Sequence, residues 1–133
     1  MLYLDTSALA KLAHIEIATR ELEEYLSQHM DSQRVSSSLV EVELPRAINR
    51  ANPAALIHVP GILAHLDLLE IDATVRADAA ALPPPTLGSL DAIHLATALE
   101  LAADLEAFLT YDKGLANAAE SAGLVVESPG MSL

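Results

Sequence analysis

Leu2-Tyr3-Leu4-Asp5-Thr6-Ser7 opens the chain with a compact apolar run that stops on a carboxylate. Ala107-Phe108-Leu109-Thr110-Tyr111-Asp112 repeats that shape near the other end. Each reads as a short strand with an acid directly beyond it. Helical and strand-like patterns alternate between them. Ile15, Ala18, Leu22, Tyr25 and Leu26 recur at helical spacing, with Glu16, Arg20, Glu23 and Glu24 between them, which is an amphipathic helix. Arg34 to Ser36 reads as a strand, and Ser37 or Ser38 as the cap of a helix to about Arg50. Pro53 starts a further helical piece that Pro60-Gly61 interrupts. Leu68 to Ile71 is a strand and Ala73 to Leu82 a helix. Ser89 is the expected N-cap of a helix to about Ala103. Leu115 to Ala122 is a helix, and Leu124 to Glu127 a last strand. Alternating strands and helices imply parallel pairing. The expected fold class is therefore α/β, a three-layer α/β/α sandwich with a roughly five-stranded parallel sheet. Sites in such sheets form beyond the carboxyl ends of the strands.

The 133 residues fit a single domain spanning 1–133. Hydrophobic residues make up 52% of the chain but aromatic ones only 3%, so the core must be aliphatic. With no cysteine, disulfides and thiolate metal sites are excluded. The N-terminus has no basic segment before its apolar start, and Ala51 to Leu66, the longest stretch free of Asp, Glu, Lys and Arg, is too short to span a bilayer. The expectation is a soluble, cytoplasmic chain with no membrane segment.

Seven Lys and Arg stand against 19 Asp and Glu, a formal net charge of -12. Proteins that grip nucleic acid usually carry a basic face. The balance leaves two readings: no contact with nucleic acid, or contact through divalent metal held by clustered carboxylates. It also favours a basic protein partner.

Asp5 and Asp112 share one sheet edge in this reading. Asp91 lies in the first turn of its helix, where the dipole favours a carboxylate. Glu43 lies on the helix after the second strand. Oxygen-only donors suit Mg²⁺ or Mn²⁺, and a close set of like charges itself calls for a cation. Singly, each acid has a plain structural explanation: Asp5 as an N-cap, Asp91 as a dipole partner, Asp112 as a turn residue, Glu43 as an ion-pair partner of Arg46. Glu41 points about 160° away from Glu43 on a helix, so only one can face the site. Pro45 either kinks that helix or marks its start.

These segments, in order, resemble the PIN-domain family, and within it the VapC toxins. Leu2 to Leu9 is similar to the family's opening motif. Ser36 to Leu39 leading to Glu43-Leu44-Pro45-Arg46-Ala47 is similar to the second, Ser89 to Ala96 to the third, and Leu109 to Asp112 with Leu115-Ala116 to the fourth. The resemblance implies an Mg²⁺- or Mn²⁺-dependent endoribonuclease, a homodimer, RNA as substrate and a cognate VapB-type antitoxin. Carried over, Asp5, Glu43, Asp91 and Asp112 are the catalytic and metal-binding acids, with the Arg-Ala after Glu43 selecting it over Glu41. Thr6, Ser7 and Thr110 are supporting hydrogen-bonders, Arg46 orients Glu43, and Lys11 or Lys113 touches RNA. For Lys11 and His94 the plainer roles, solvated surface and satisfied core histidine, are favoured. His58 and His65 are not expected to form a zinc pair. The rival functions are a catalytically inactive PIN-like binding module and a receiver-like phosphoacceptor domain, for which Asp72 is the one available acceptor.

Overall fold

The computed structural model describes Met1–Leu133. Five strands, β1 (Leu2–Leu4), β2 (Arg34–Ser37), β3 (Asp67–Leu69), β4 (Ala107–Leu109) and β5 (Val126–Glu127), form one sheet in the order β3-β2-β1-β4-β5. Every neighbouring pair is parallel. Seven α-helices connect and cover it: α1 (Thr6–Ala13), α2 (Thr19–Ser27), α3 (Val40–Ala51), α4 (Val59–Ala64), α5 (Ala73–Ala81), α6 (Ser89–Glu100) and α7 (Lys113–Ser121).

Successive strand residues point to opposite faces, and the core divides accordingly. Leu2, Leu4, Ala107 and Leu109 pack with Leu9, Leu22, Leu26, Leu44, Ile48 and Val59 on the side of α1 to α4. Tyr3, Val35 and Phe108 pack with Leu95, Ala98, Leu115 and Ala119 on the side of α6 and α7. Helix α5 lies against α6. The three-layer α/β/α arrangement is the one expected. No helix is long and apolar enough to cross a membrane.

Several boundaries differ from expectation for identifiable reasons. Helix α1 was not foreseen, and the amphipathic helix starts at Thr19, not Ile15. Between them Ala18 adopts a left-handed backbone, φ 73°, and Ile15 and Ile17 are 91% and 77% exposed. Thr19 Oγ1 donates to Lys11 O at 2.9 Å and accepts from Glu16 N at 3.0 Å, closing this turn. Pro60 and Gly61 lie within the first turn of α4, where proline lacks no needed donor. The chain is interrupted just before them, where a 3-10 segment, Pro53–His58, ends. Helix α3 runs through Pro45, so it does not begin there. Ser37 Oγ accepts from Leu39 N at 3.1 Å, which places the helix start one residue beyond the expected serines. Gly88, not Ser89, is the N-cap of α6. Strand β4 stops at Leu109, so Thr110 and Tyr111 separate Asp112 from it.

Candidate metal and phosphodiester site

At the carboxyl edge of the sheet, the turn after β1 and the turn after β4 lie side by side because their strands are neighbours. Asp5 N donates to Leu109 O at 3.2 Å. Both turns end in an aspartate that caps the next helix. Asp5 Oδ1 accepts from Ala8 N at 3.0 Å, and Asp112 Oδ1 from Leu115 N at 2.8 Å. The plain capping role and membership of the cluster are therefore compatible. A pocket of about 240 Å³ opens here, lined by Asp5, Thr6, Ser7, Glu43, Asp91, His94 and Asp112. The fold thus brings the four acids named from sequence to one concavity, while Glu41 is exposed and absent from its lining.

Asp5 is the deepest of the four, buried and held at both oxygens. Ser7 Oγ donates to Oδ1 at 2.7 Å and Thr110 Oγ1 to Oδ2 at 2.6 Å. Those hydroxyls are themselves fixed: Ser7 Oγ accepts from Tyr111 N at 2.8 Å and Thr110 Oγ1 from Asp112 N at 3.1 Å. Burial pushes the Asp5 carboxyl above its ordinary range, against the opposing effects of His94 and these hydrogen bonds. Burial, followed by the charges of Asp112 and Asp5, also raises Asp91. Repulsion between carboxylates is thus built into the pocket.

Glu43 has the opposite balance. Burial would raise it, but hydrogen bonds from His94 and Thr6 bring it below its ordinary value. Thr6 Oγ1 donates to Glu43 Oε1 at 2.6 Å, and His94 Nε2 lies 2.7 Å from the same oxygen. His94 Nδ1 is 2.7 Å from Tyr3 Oη. Burial keeps the Tyr3 phenol protonated. A neutral imidazole donates from one nitrogen and accepts at the other, and an ionised carboxylate only accepts. An ionised Glu43 therefore accepts from His94 Nε2–H, and when the ring is neutral its Nδ1 accepts from Tyr3 Oη–H. His94 is satisfied and buried, as its plainer reading holds, yet it also lines the pocket. Tyr3 was missed altogether. The only sequence signal was His94 lying one helical turn after Asp91.

The basic residues are placed differently from expectation. Arg46 forms no ion pair with Glu43; the salt bridges of the protein are Lys11–Glu16, His14–Glu16, Arg20–Glu24 and His94–Glu43. Lys11 is neither solvated nor turned to the pocket. It is buried, with Nζ donating to Glu16 at 3.2 Å and Ile17 O at 2.7 Å, 4.5 Å above the Tyr111 ring. Lys113 is exposed beside Asp112. Asp72 caps α5 through Val75 N at 2.9 Å and does not line the acidic pocket. His58 and His65 do share a cavity, of about 370 Å³, with Arg34 and leucines of β1 and α1. The acidic pocket is smaller, but it is where the ionisable groups converge.

All donors around the pocket are oxygen except the His94 ring, a set that suits a hard cation. No three Asp, Glu or His side chains stand close enough to enclose an ion by themselves.

The PIN-domain family model matches residues 2–121. The chain belongs to the PIN-domain family. Ribonuclease VapC35 of Mycobacterium tuberculosis is 48% identical over 134 residues, covering 99% of both chains. Ribonuclease VapC46 of the same organism is 43% identical over 129 residues, covering 96% of this chain and 97% of that one. Among solved structures, the sarcin-ricin-loop-cleaving toxin VapC20 of M. tuberculosis superposes with a TM-score of 0.74 at 16% identity, over 94% of this chain and 97% of that one. VapBC2 of Rickettsia felis bound to a promoter DNA fragment gives 0.67 at 16%, over 96% and 98%. These likenesses extend the PIN architecture over nearly the whole chain and set aside the receiver-like alternative.

Proposed function

We propose that this PIN-domain chain, acting as one domain over 1–133, is an endoribonuclease toxin that hydrolyses RNA phosphodiester bonds with Mg²⁺ or Mn²⁺. The observation that carries the reading is the convergence of Asp5, Glu43, Asp91 and Asp112 on one pocket, together with relatives named as ribonucleases. The intact acid set counts against an inactive binding module.

Asp5 and Asp91 would hold the principal cation, partly through water, with Asp112 and Glu43 completing the shell or a second, weaker site. When bound, the cation would supply charge neutralisation and a more acidic water. Ser7 and Thr110 keep Asp5 from rotating, as hydrogen-bonded partners of metal ligands do. Thr6 and His94 pin Glu43 by Oε1, which leaves Oε2 to accept a hydrogen bond from a water in the pocket. In the proposed reaction a water oxygen bonds to phosphorus and the bond from phosphorus to O3′ breaks. The leaving oxygen gains a proton, giving a 5′-phosphate and a 3′-hydroxyl.

The proposal extends to a cytoplasmic homodimer restrained by a VapB-type antitoxin. Structural neighbours described as a toxin–antitoxin complex from Klebsiella pneumoniae and as VapBC2 support the partner's class, and the net charge of -12 suits a basic side chain entering the acidic pocket. The direct test incubates antitoxin-free protein with total cellular RNA in Mg²⁺, Mn²⁺ or EDTA, beside Asp5→Asn and Asp91→Asn. Discrete metal-dependent cuts, lost in both variants, are expected. Intact RNA from folded, metal-binding protein would refute the reading.

A further inference from the structure

Next to the acidic pocket lies a second groove of about 360 Å³, lined by Thr6, Leu39, Val42, Glu43, Arg46, Ala47, Arg50 and Leu90. Thr6, Glu43 and Ala47 line both concavities, so the two adjoin. In a chain with only seven Lys and Arg against 19 acids, two of the cations line this groove. Both are exposed. Neither takes part in any of the protein's ion pairs, although most of the surrounding charge is acidic. Arg46 and Arg50 are one helical turn apart on α3, on the same side of the helix. Val42 and Leu90, 61% and 49% exposed, supply apolar surface in the same groove.

We propose that this groove is the track for the substrate strand beside the scissile phosphate. Arg46 and Arg50 contact backbone phosphates there, and Val42 and Leu90 contact a base. The inference rests on the ribonuclease reading of the adjoining pocket and gives it a substrate path. The four-acid pocket repels every phosphate not screened by a cation. A neighbouring phosphate therefore needs its own positive partner, and guanidinium groups present several donors to such oxygens. The occupant is a single strand of RNA, because the groove carries both positive charge and exposed apolar surface and adjoins the acidic pocket.

The test is equilibrium binding of a short fluorescein-labelled, mixed-sequence oligoribonucleotide to protein carrying Asp91→Asn, in Mg²⁺, across about 50 to 200 mM salt. Arg46→Gln, Arg50→Gln and the double variant are compared with Arg20→Gln. Arg20 pairs with Glu24 on α2 and lines neither concavity, so it controls for net charge. Each phosphate contact on a single strand adds about 0.7 to the slope of log affinity against log salt. Each groove variant should lower the slope by about that amount and weaken binding about fourfold near 0.15 M salt. The double variant should lose both increments, and Arg20→Gln neither. Slopes that match the Arg20→Gln control would overturn the proposal. So would loss of binding to a labelled oligoglutamate peptide with RNA binding intact, an outcome that assigns the groove to an acidic protein segment. Cleavage of total RNA by the unmodified protein is scored separately. Its absence beside a changed slope removes the nuclease reading and leaves the groove assignment standing.

Discussion

Replacing Tyr3 by Phe removes one oxygen from the interior and nothing else. Tyr3 is fully buried, and its ring stacks on Phe108 with centroids 5.1 Å apart; a phenyl ring keeps that contact. What is lost is the donor to His94 Nδ1, 2.7 Å away. A buried acceptor left without a partner costs about 1–3 kcal/mol. For a chain of this size that corresponds to a melting temperature lower by roughly 4–11 °C. The second effect is at the site. His94 no longer has a partner that dictates which ring nitrogen carries hydrogen, so its grip on Glu43 Oε1 loosens. Thermal unfolding by circular dichroism measures the first effect. The ¹⁵N–¹H correlations of the histidine ring measure the second, with the wild type showing hydrogen on Nε2. A Tyr3→Phe protein that melts within about 1 °C of wild type, with the His94 ring signals unchanged, would refute the donor chain from Tyr3 to Glu43.

Thr110→Val keeps the shape of a fully buried residue but leaves Asp5 Oδ2 and Asp112 N without their shared partner. Stability should fall by about 2–3 kcal/mol and Mn²⁺ affinity roughly tenfold or more, read by unfolding and by calorimetric titration; unchanged affinity would show that Asp5 needs no such support. Asp91→Asn should raise the melting temperature of metal-free protein while abolishing metal-dependent cleavage, because the charge it removes is repelled by Asp112 and Asp5; a lower melting temperature would contradict that electrostatic account. Asp5 and Asp91 have raised values when folded, so the unfolded chain ionises them first. Metal-free stability from these two should therefore fall as pH rises from about 4 through their raised values, and Mg²⁺ should reduce the loss. Glu43, with its lowered value, acts in the reverse sense at lower pH, so a metal-free curve that rises monotonically through the higher range would be inconsistent with the cluster. Ala18→Gly relieves a left-handed backbone that costs a non-glycine residue about 1–2 kcal/mol, against roughly 0.5–1 kcal/mol of added chain entropy; a gain of up to about 1 kcal/mol is expected, and a lower melting temperature would exclude strain at this turn.

The sheet and its edge were legible because they depend on local pattern. Leu2 to Leu4 and Ala107 to Leu109 are apolar runs whose ends carry Asp5 and Asp112, and strand alternation with helices implies that such ends share an edge. Helix α1 was hidden because it is only eight residues long and begins at the capping Asp5, so no long amphipathic stripe marks it. Spacing alone suggested an Arg46–Glu43 pair, since three residues separate neighbours on a helix face. The fold instead supplied Glu43 with donors from α1 and α6, and no local pattern reports a partner 51 residues away. Lys11 shows the same limit. Its aliphatic stem and charge look like surface in sequence, but Glu16, the Ile17 carbonyl and the Tyr111 ring give the ammonium a full set of neighbours indoors. Tyr3 was read only as strand core, because its hydroxyl has meaning only once His94 is beside it.

The central position of β1 has a consequence in time. Its neighbour β4 arrives about a hundred residues later, and Thr110, which holds Asp5, is 105 residues downstream of it. A chain three-quarters made carries Asp5 and Glu43 but lacks Thr110, the partner of Asp5 Oδ2, and the β4 edge beside β1. Asp5 and Glu43 are synthesised early, Asp91 and Asp112 late. The four-acid pocket therefore cannot form on a growing chain until the segment with Thr110 and Asp112 emerges.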